Sequence, residues 1–74
     1  MTGQQIRSER AAAGIAGELL AKRAEITRAR LSSIERGYVE PTPEEAARLD
    51  QALGELLAGK ARLAAVAAEV GLPV

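Results

Sequence analysis

Residues 14–37 read GIAGELLAKRAEITRARLSSIERG, and the order of apolar, capping and glycine positions in this stretch decides the fold. Leu19, Leu20, Arg23 and Ala24 recur at helical spacing, which predicts a short helix from about Gly17 to Ala24. Its start is weakly signalled, because Ala16 has no side-chain oxygen to cap it and Gly17 is a poor helix former. Thr27 is a better cap, and Leu31 and Ile34, three apart, turn inward on a following helix over Arg28 to Arg36 that Gly37 stops. Only Glu25 and Ile26 separate the one helix from the cap of the other. So short a connection requires two helices meeting at a steep angle.

Outward from this stretch the signals remain helical. Thr2 and Gln5 have capping-box spacing and predict a first helix to about Ala13, ended by Gly14 in a left-handed conformation. Residues 38–43, YVEPTP, form a loop, since each proline pushes its predecessor out of the helical region. Thr42, Pro43 and Glu45 then open a new helix as cap, first-turn residue and box partner. Leu49, Leu53, Leu56, Leu63 and Val70 follow a seven-residue repeat, with Lys60 and Ala67 at the two remaining positions. Gly54 either divides this segment into helices over 44–53 and 55–70 or is carried through at a cost of about 1 kcal/mol. The break is the favoured expectation, giving an all-α chain of five helices. Gly71 and Pro73 end the pattern.

Composition narrows the function. A chain of 74 residues is one domain at most and buries only about 60% of its unfolded surface. Sixteen of its apolar residues are alanines, so few side chains bring a large burial energy. Histidine, cysteine, tryptophan and phenylalanine are absent, which removes the usual zinc ligands, the thiol nucleophile and the commonest general base. Ser8, Ser32, Ser33, Tyr38 and Asp50 have no histidine or lysine placed to activate them, so no enzyme, metal or cofactor is expected. No apolar run is long enough for a membrane span, and the start does not read as a secretory signal, which makes cytoplasmic the default. Net charge is zero, yet residues 1–40 hold seven basic against five acidic side chains, and the remainder has the opposite bias. The abundance of Ala, Gly and Arg is compatible with a GC-rich bacterial or phage genome.

Gly14, Leu20, Ala21, Arg23, Ala24, Ile26, Thr27, Arg28, Leu31, Ser32, Ile34, Glu35, Arg36 and Gly37, with the Pro-Thr-Pro-Glu that follows, carry a resemblance. The stretch resembles the helix-turn-helix of the lambda-repressor/Cro-like (XRE) family, and the likeness extends over residues 3–54. It implies a DNA-binding domain over residues 1–54, with the helix-turn-helix at helices 2 and 3. It also implies a structural ion pair between Arg10 and Glu35. In such proteins the third helix enters the major groove, which assigns base readout to Arg28, Ala29, Ser32 and Ser33. Arg28 suits guanine O6 and N7, and Ala29 a thymine methyl. Phosphate contacts fall to Arg7, Gly17, Lys22, Thr27, Arg30 and Tyr38. Three positions depart from the family pattern. Ala16 and Gly17 replace a polar pair that clamps phosphate, Glu25 stands at a turn position usually held by glycine, and Tyr38, Val39 and Glu40 replace basic residues.

The resemblance implies a transcription regulator, with repression and a palindromic operator as the finer expectation. Two recognition helices about 34 Å apart require a homodimer. The Ala/Leu-rich helix over 55–74 is the candidate interface, through Leu53, Leu56, Leu57, Leu63, Val66 and Val70, and the same helix is a candidate surface for another protein. The competing expectation is a protein-interaction or antitoxin-like module of the same fold with little or no DNA readout, which net neutrality, the missing polar clamp at Ala16 and Gly17, Glu25 and Glu40 favour.

Overall fold

The computed structural model describes residues 2–69, with side chains described as far as Lys60. These residues form four α-helices and no strand: α1 (Gly3–Ala12), α2 (Gly17–Arg23), α3 (Arg28–Glu35) and α4 (Pro43–Glu69). Each start but one follows from a cap. The Thr2 hydroxyl accepts from the Gln5 N–H while the Gln5 side chain accepts from the Thr2 N–H. Thr42 and Glu45 repeat the same exchange at α4. Thr27 accepts from the Arg30 N–H at α3, whereas Ala16 makes no side-chain cap at α2.

The first three helices end alike. After the cap residue of each, the next two N–H groups bond back to carbonyls of the last turn, as in Gly14 to Ala11 and Ile15 to Arg10. Glu25 to Lys22 and Ile26 to Ala21 repeat the pattern, as do Gly37 to Ile34 and Tyr38 to Ser33. This closure needs a left-handed residue at its corner, and Gly14, Glu25 and Gly37 have φ of 70°, 60° and 78°.

Ile6, Ile15, Leu20, Ala21, Ala24, Leu31, Ile34, Leu49, Ala52 and Leu53 form one core, with Ile26, Leu56 and Leu57 packed on its edge. α1 and α2 each pack on both α3 and α4.

The expected fifth helix is not present, because α4 runs through Gly54 without interruption. Two forces explain the difference. Gly54 does not adopt the positive φ that ends a helix, and no Ser, Thr, Asn or Asp stands there to cap a new one. Meanwhile Leu53 before the glycine and Leu56 and Leu57 after it lean on the same core, so continuity keeps apolar contacts that outweigh about 1 kcal/mol of glycine cost. Leu53, expected at a dimer interface, is 1% exposed and belongs to this core. Lys60, expected on the helical seam, instead places its Nζ 3.8 Å from where a Cβ on Gly14 would stand. A cation beside the carbonyl end of α1 is favoured there. Val70 and the side chains of Leu63 and Val66 lie outside the described residues.

Candidate nucleic-acid interface

α2 and α3 meet through Ala24, Glu25, Ile26 and Thr27. Glu25 is the only non-glycine residue with positive φ among the described residues, a conformation costing about 1–2 kcal/mol for a residue with a Cβ. The two returning hydrogen bonds and the seating of Ile26 against the core hold it there. Ala21 is 2% exposed where the helices approach, and Leu20 and Leu31 are fully buried.

With Leu31 and Ile34 turned inward, α3 presents Arg28 and Ala29 exposed to solvent and Ser32 and Ser33 half-buried beside them. Tyr38, 73% exposed, joins the far end of this helix through its N–H to the Ser33 carbonyl, 2.9 Å. Arg7, Lys22 and Thr27 are exposed as well. The Thr27 hydroxyl oxygen already accepts from Arg30 N–H at 3.0 Å, leaving its proton to donate outward. Gly17 sits half-buried against the Arg10 guanidinium, whose Cζ would lie 3.6 Å from a Cβ there. Among the described residues Arg7, Lys22, Arg28 and Arg36 take part in no ion pair, so their charge is turned to solvent.

Two bidentate pairs fix the pose of α3. Arg10 Nε and Nη2 donate to the two Glu35 oxygens at 2.8 and 2.9 Å, and Nη1 donates to the Ile15 carbonyl at 2.8 Å. Glu35 is only 7% exposed, so this fork locks α1, the loop before α2 and the last turn of α3 in one arrangement. Hydrogen bonding to Glu35 raises the Arg10 pKa against the opposing effect of burial.

The second pair departs from the expectation for Arg30. Its Nε and Nη2 donate to the Glu45 oxygens at 3.0 and 2.8 Å, with a longer contact from Nη2 to the Glu40 carbonyl at 3.5 Å. The guanidinium expected at phosphate is thus held within the chain, between α3 and the start of α4. Hydrogen bonds from Arg30 first, then from the Thr42 N–H, lower the Glu45 pKa to about 2. Sequence alone showed Glu45 as a capping-box residue, and its second role spans fifteen positions, beyond any local spacing rule. Arg48 was missed for the same reason: its Nε donates to the Ala24 carbonyl at 2.9 Å, tying α4 to the corner of the turn. Arg36, an exposed cation at the end of α3, was visible in the motif yet given no role.

A family model described as helix-turn-helix, of the XRE or lambda-repressor-like type, matches residues 6–58. The chain belongs to that family. Helix-turn-helix proteins of this type are DNA-binding transcription regulators. The matched span takes in α1 from Ile6 onward, both motif helices and the first half of α4, the same elements that build the core. No curated protein and no solved structure matches this helix-turn-helix chain. Among its described residues no cluster of His, Cys, Asp or Glu can hold a metal ion, and no helix is long and apolar enough to cross a membrane.

Proposed function

We propose that this helix-turn-helix protein is a sequence-specific regulator that represses transcription by binding a palindromic operator as a homodimer. The observation that supports it is the outer face of α3. Arg28 and Ala29 stand exposed in its first turn, with no protein partner for the guanidinium among the described residues. An unengaged arginine there can present two donors to a guanine. Ser32 and Ser33 complete the base-reading face, while Arg7, Lys22, Thr27, Tyr38 and the Gly17 N–H serve as phosphate contacts. The Arg10–Glu35 fork sets the angle at which that face is offered.

Dimerisation is assigned to the part of α4 beyond the core. Residues 1–54 act as the reading head and residues 55–74 as the joining segment, with Leu56 and Leu57 packed on the edge of the core, Leu63 and Val70 continuing the sequence repeat and Val66 an apolar residue beside it. The same segment is the surface a protein partner would take. A second reading, a protein-interaction module with little DNA readout, draws support from Glu18 in the first turn of α2 and exposed Glu40 after α3, both of which repel phosphate.

Selection of duplexes from a random library, followed by salt titration of the winner, separates the two. The regulator reading expects a palindrome, and Arg28→Ala costing about 1–3 kcal/mol of discrimination at one base pair of each half-site. Absence of any selected duplex at low salt sinks it. Solution mass of the full chain against a truncation after Lys60 tests the joining segment, with dimer and monomer the expected pair of results.

A further inference from the structure

The Arg30–Glu45 pair does more than brace α3. A major groove about 12 Å wide is nearly filled by a helix with its side chains, about 10–12 Å across, so arginines on the flanks of a recognition helix lie within a side-chain length of the phosphate walls. Arg30 flanks the base-reading pair Arg28 and Ala29, and it is held instead by a carboxylate that presents two oxygens to it at 2.8 and 3.0 Å. This planar two-oxygen fork is the geometry an arginine otherwise finds on a phosphate.

We propose that Glu45 is an affinity-setting residue that occupies Arg30 as an internal substitute for phosphate, so that the chain binds DNA of every sequence more weakly while base discrimination stays with the outward face of α3. The inference rests on the DNA-binding reading above. Three features keep the substitute in place. Both carboxylate oxygens are engaged by the guanidinium, one of them also accepts the Thr42 N–H at 2.9 Å, and the side chain is only 14% exposed. The carboxylate is therefore fixed and partly dehydrated before any DNA arrives, while a phosphate would have to pull Arg30 out of a finished contact. Its ionisation down to a pH of about 2 keeps the pair intact under all ordinary conditions.

The experiment is salt-titrated binding of the full chain to a non-palindromic duplex of mixed sequence, for the wild type, Glu45→Gln and the double variant Arg30→Ala/Glu45→Gln. Glutamine can still complete a capping box with Thr42, and circular dichroism checks that each variant is folded. Each phosphate neutralised adds about 0.9 to the slope of log K against log salt. Glu45→Gln should steepen the wild-type slope by about that amount. Its gain in affinity should then be about 3.5-fold larger at 50 mM than at 200 mM salt, the fourfold change raised to that power. The double variant, which has the wild-type net charge, should return to the wild-type slope.

Three results overturn the proposal: an unchanged slope in Glu45→Gln, a gain that survives in the double variant and so comes from losing the Glu45 carboxylate and not from freeing Arg30, or a double variant shallower than wild type because Arg30 already met phosphate. A wild type that binds no duplex at any salt fails differently, removing the DNA-binding reading and the proposal with it.

Discussion

Arg10–Glu35, between α1 and α3, and Arg23–Glu55, between α2 and α4, join the same two residue types across the same small fold, and they differ in almost everything that matters energetically. The inner pair closes two hydrogen bonds at 2.8 and 2.9 Å with side chains 17% and 7% exposed. The outer pair makes one contact at 3.2 Å with side chains 51% and 46% exposed. Coulomb attraction is screened in water and pays little for holding two long side chains still, whereas a carboxylate already stripped of water has nowhere else to satisfy its charge. Arg30–Glu45 stands between them, two-pronged like the first yet closer to solvent, at 35% and 14%. Burial, not the number of charges, therefore ranks the ionic ties between the helices.

The largest test of that ranking is Glu35→Ala. Leaving the largely buried Arg10 guanidinium without its partner should cost about 3 kcal/mol in urea unfolding. Arg10→Met with Glu35→Leu should restore most of the loss, because the pair's value lies chiefly in each partner's need of the other. A cost below that of an exposed pair would break the comparison outright.

Glu45→Gln comes next, and acid is its probe. The folded carboxyl titrates at about 2, below its ordinary value of 4.5. The depressed value means its contribution is fully present above about 4.5 and is lost as pH falls towards about 2. Thermal melts over that window should show a wild-type decline that the glutamine variant lacks, with the two converging at the acid end. Parallel curves would show that Arg30 and Thr42 do not hold the carboxylate as the geometry indicates.

Arg23→Ala anchors the bottom of the scale. It should change unfolding free energy by less than about 0.5 kcal/mol, with what remains vanishing in high salt. A loss comparable to that of the inner pair would mean that the α2–α4 contact depends on charge and not on the apolar core beneath it.

The sequence made the local chemistry legible and the distant chemistry largely not. Thr2 with Gln5, Thr27, and Thr42 with Glu45 were readable as caps because a capping box acts over three residues, and Gly14 and Gly37 as stops because few other residues accept positive φ. Glu25 was readable as a departure at a turn position usually held by glycine, and it takes the left-handed conformation itself. The Arg10–Glu35 contact was anticipated only through family resemblance, since twenty-five positions separate its partners. Gly54 misled because a local propensity of about 1 kcal/mol is visible in sequence, while the tertiary burial on either side of it is not. Leu53 misled in turn: a seven-residue repeat marks an apolar stripe without saying which helix covers it, and here the chain's own core does. On the candidate interface, the outward face of α3 followed from the inward placing of Leu31 and Ile34. The capture of Arg30 by Glu45 had no signature.

Gly3 in the first turn of α1 packs so closely on the end of α3 that a Cβ there would overlap the Ile34 carbonyl oxygen and stand 2.8 Å from its carbon. Backbone meets backbone at that point, and no rotamer can make room. A methyl group at position 3 would act as a wedge beneath the recognition helix, prying its last turn away from α1 while leaving every residue of the reading face unchanged. Random mutagenesis scored for DNA binding should therefore recover glycine at position 3 almost without exception. Gly54 and Gly59, around which a Cβ would meet nothing within 4 Å, should accept alanine freely.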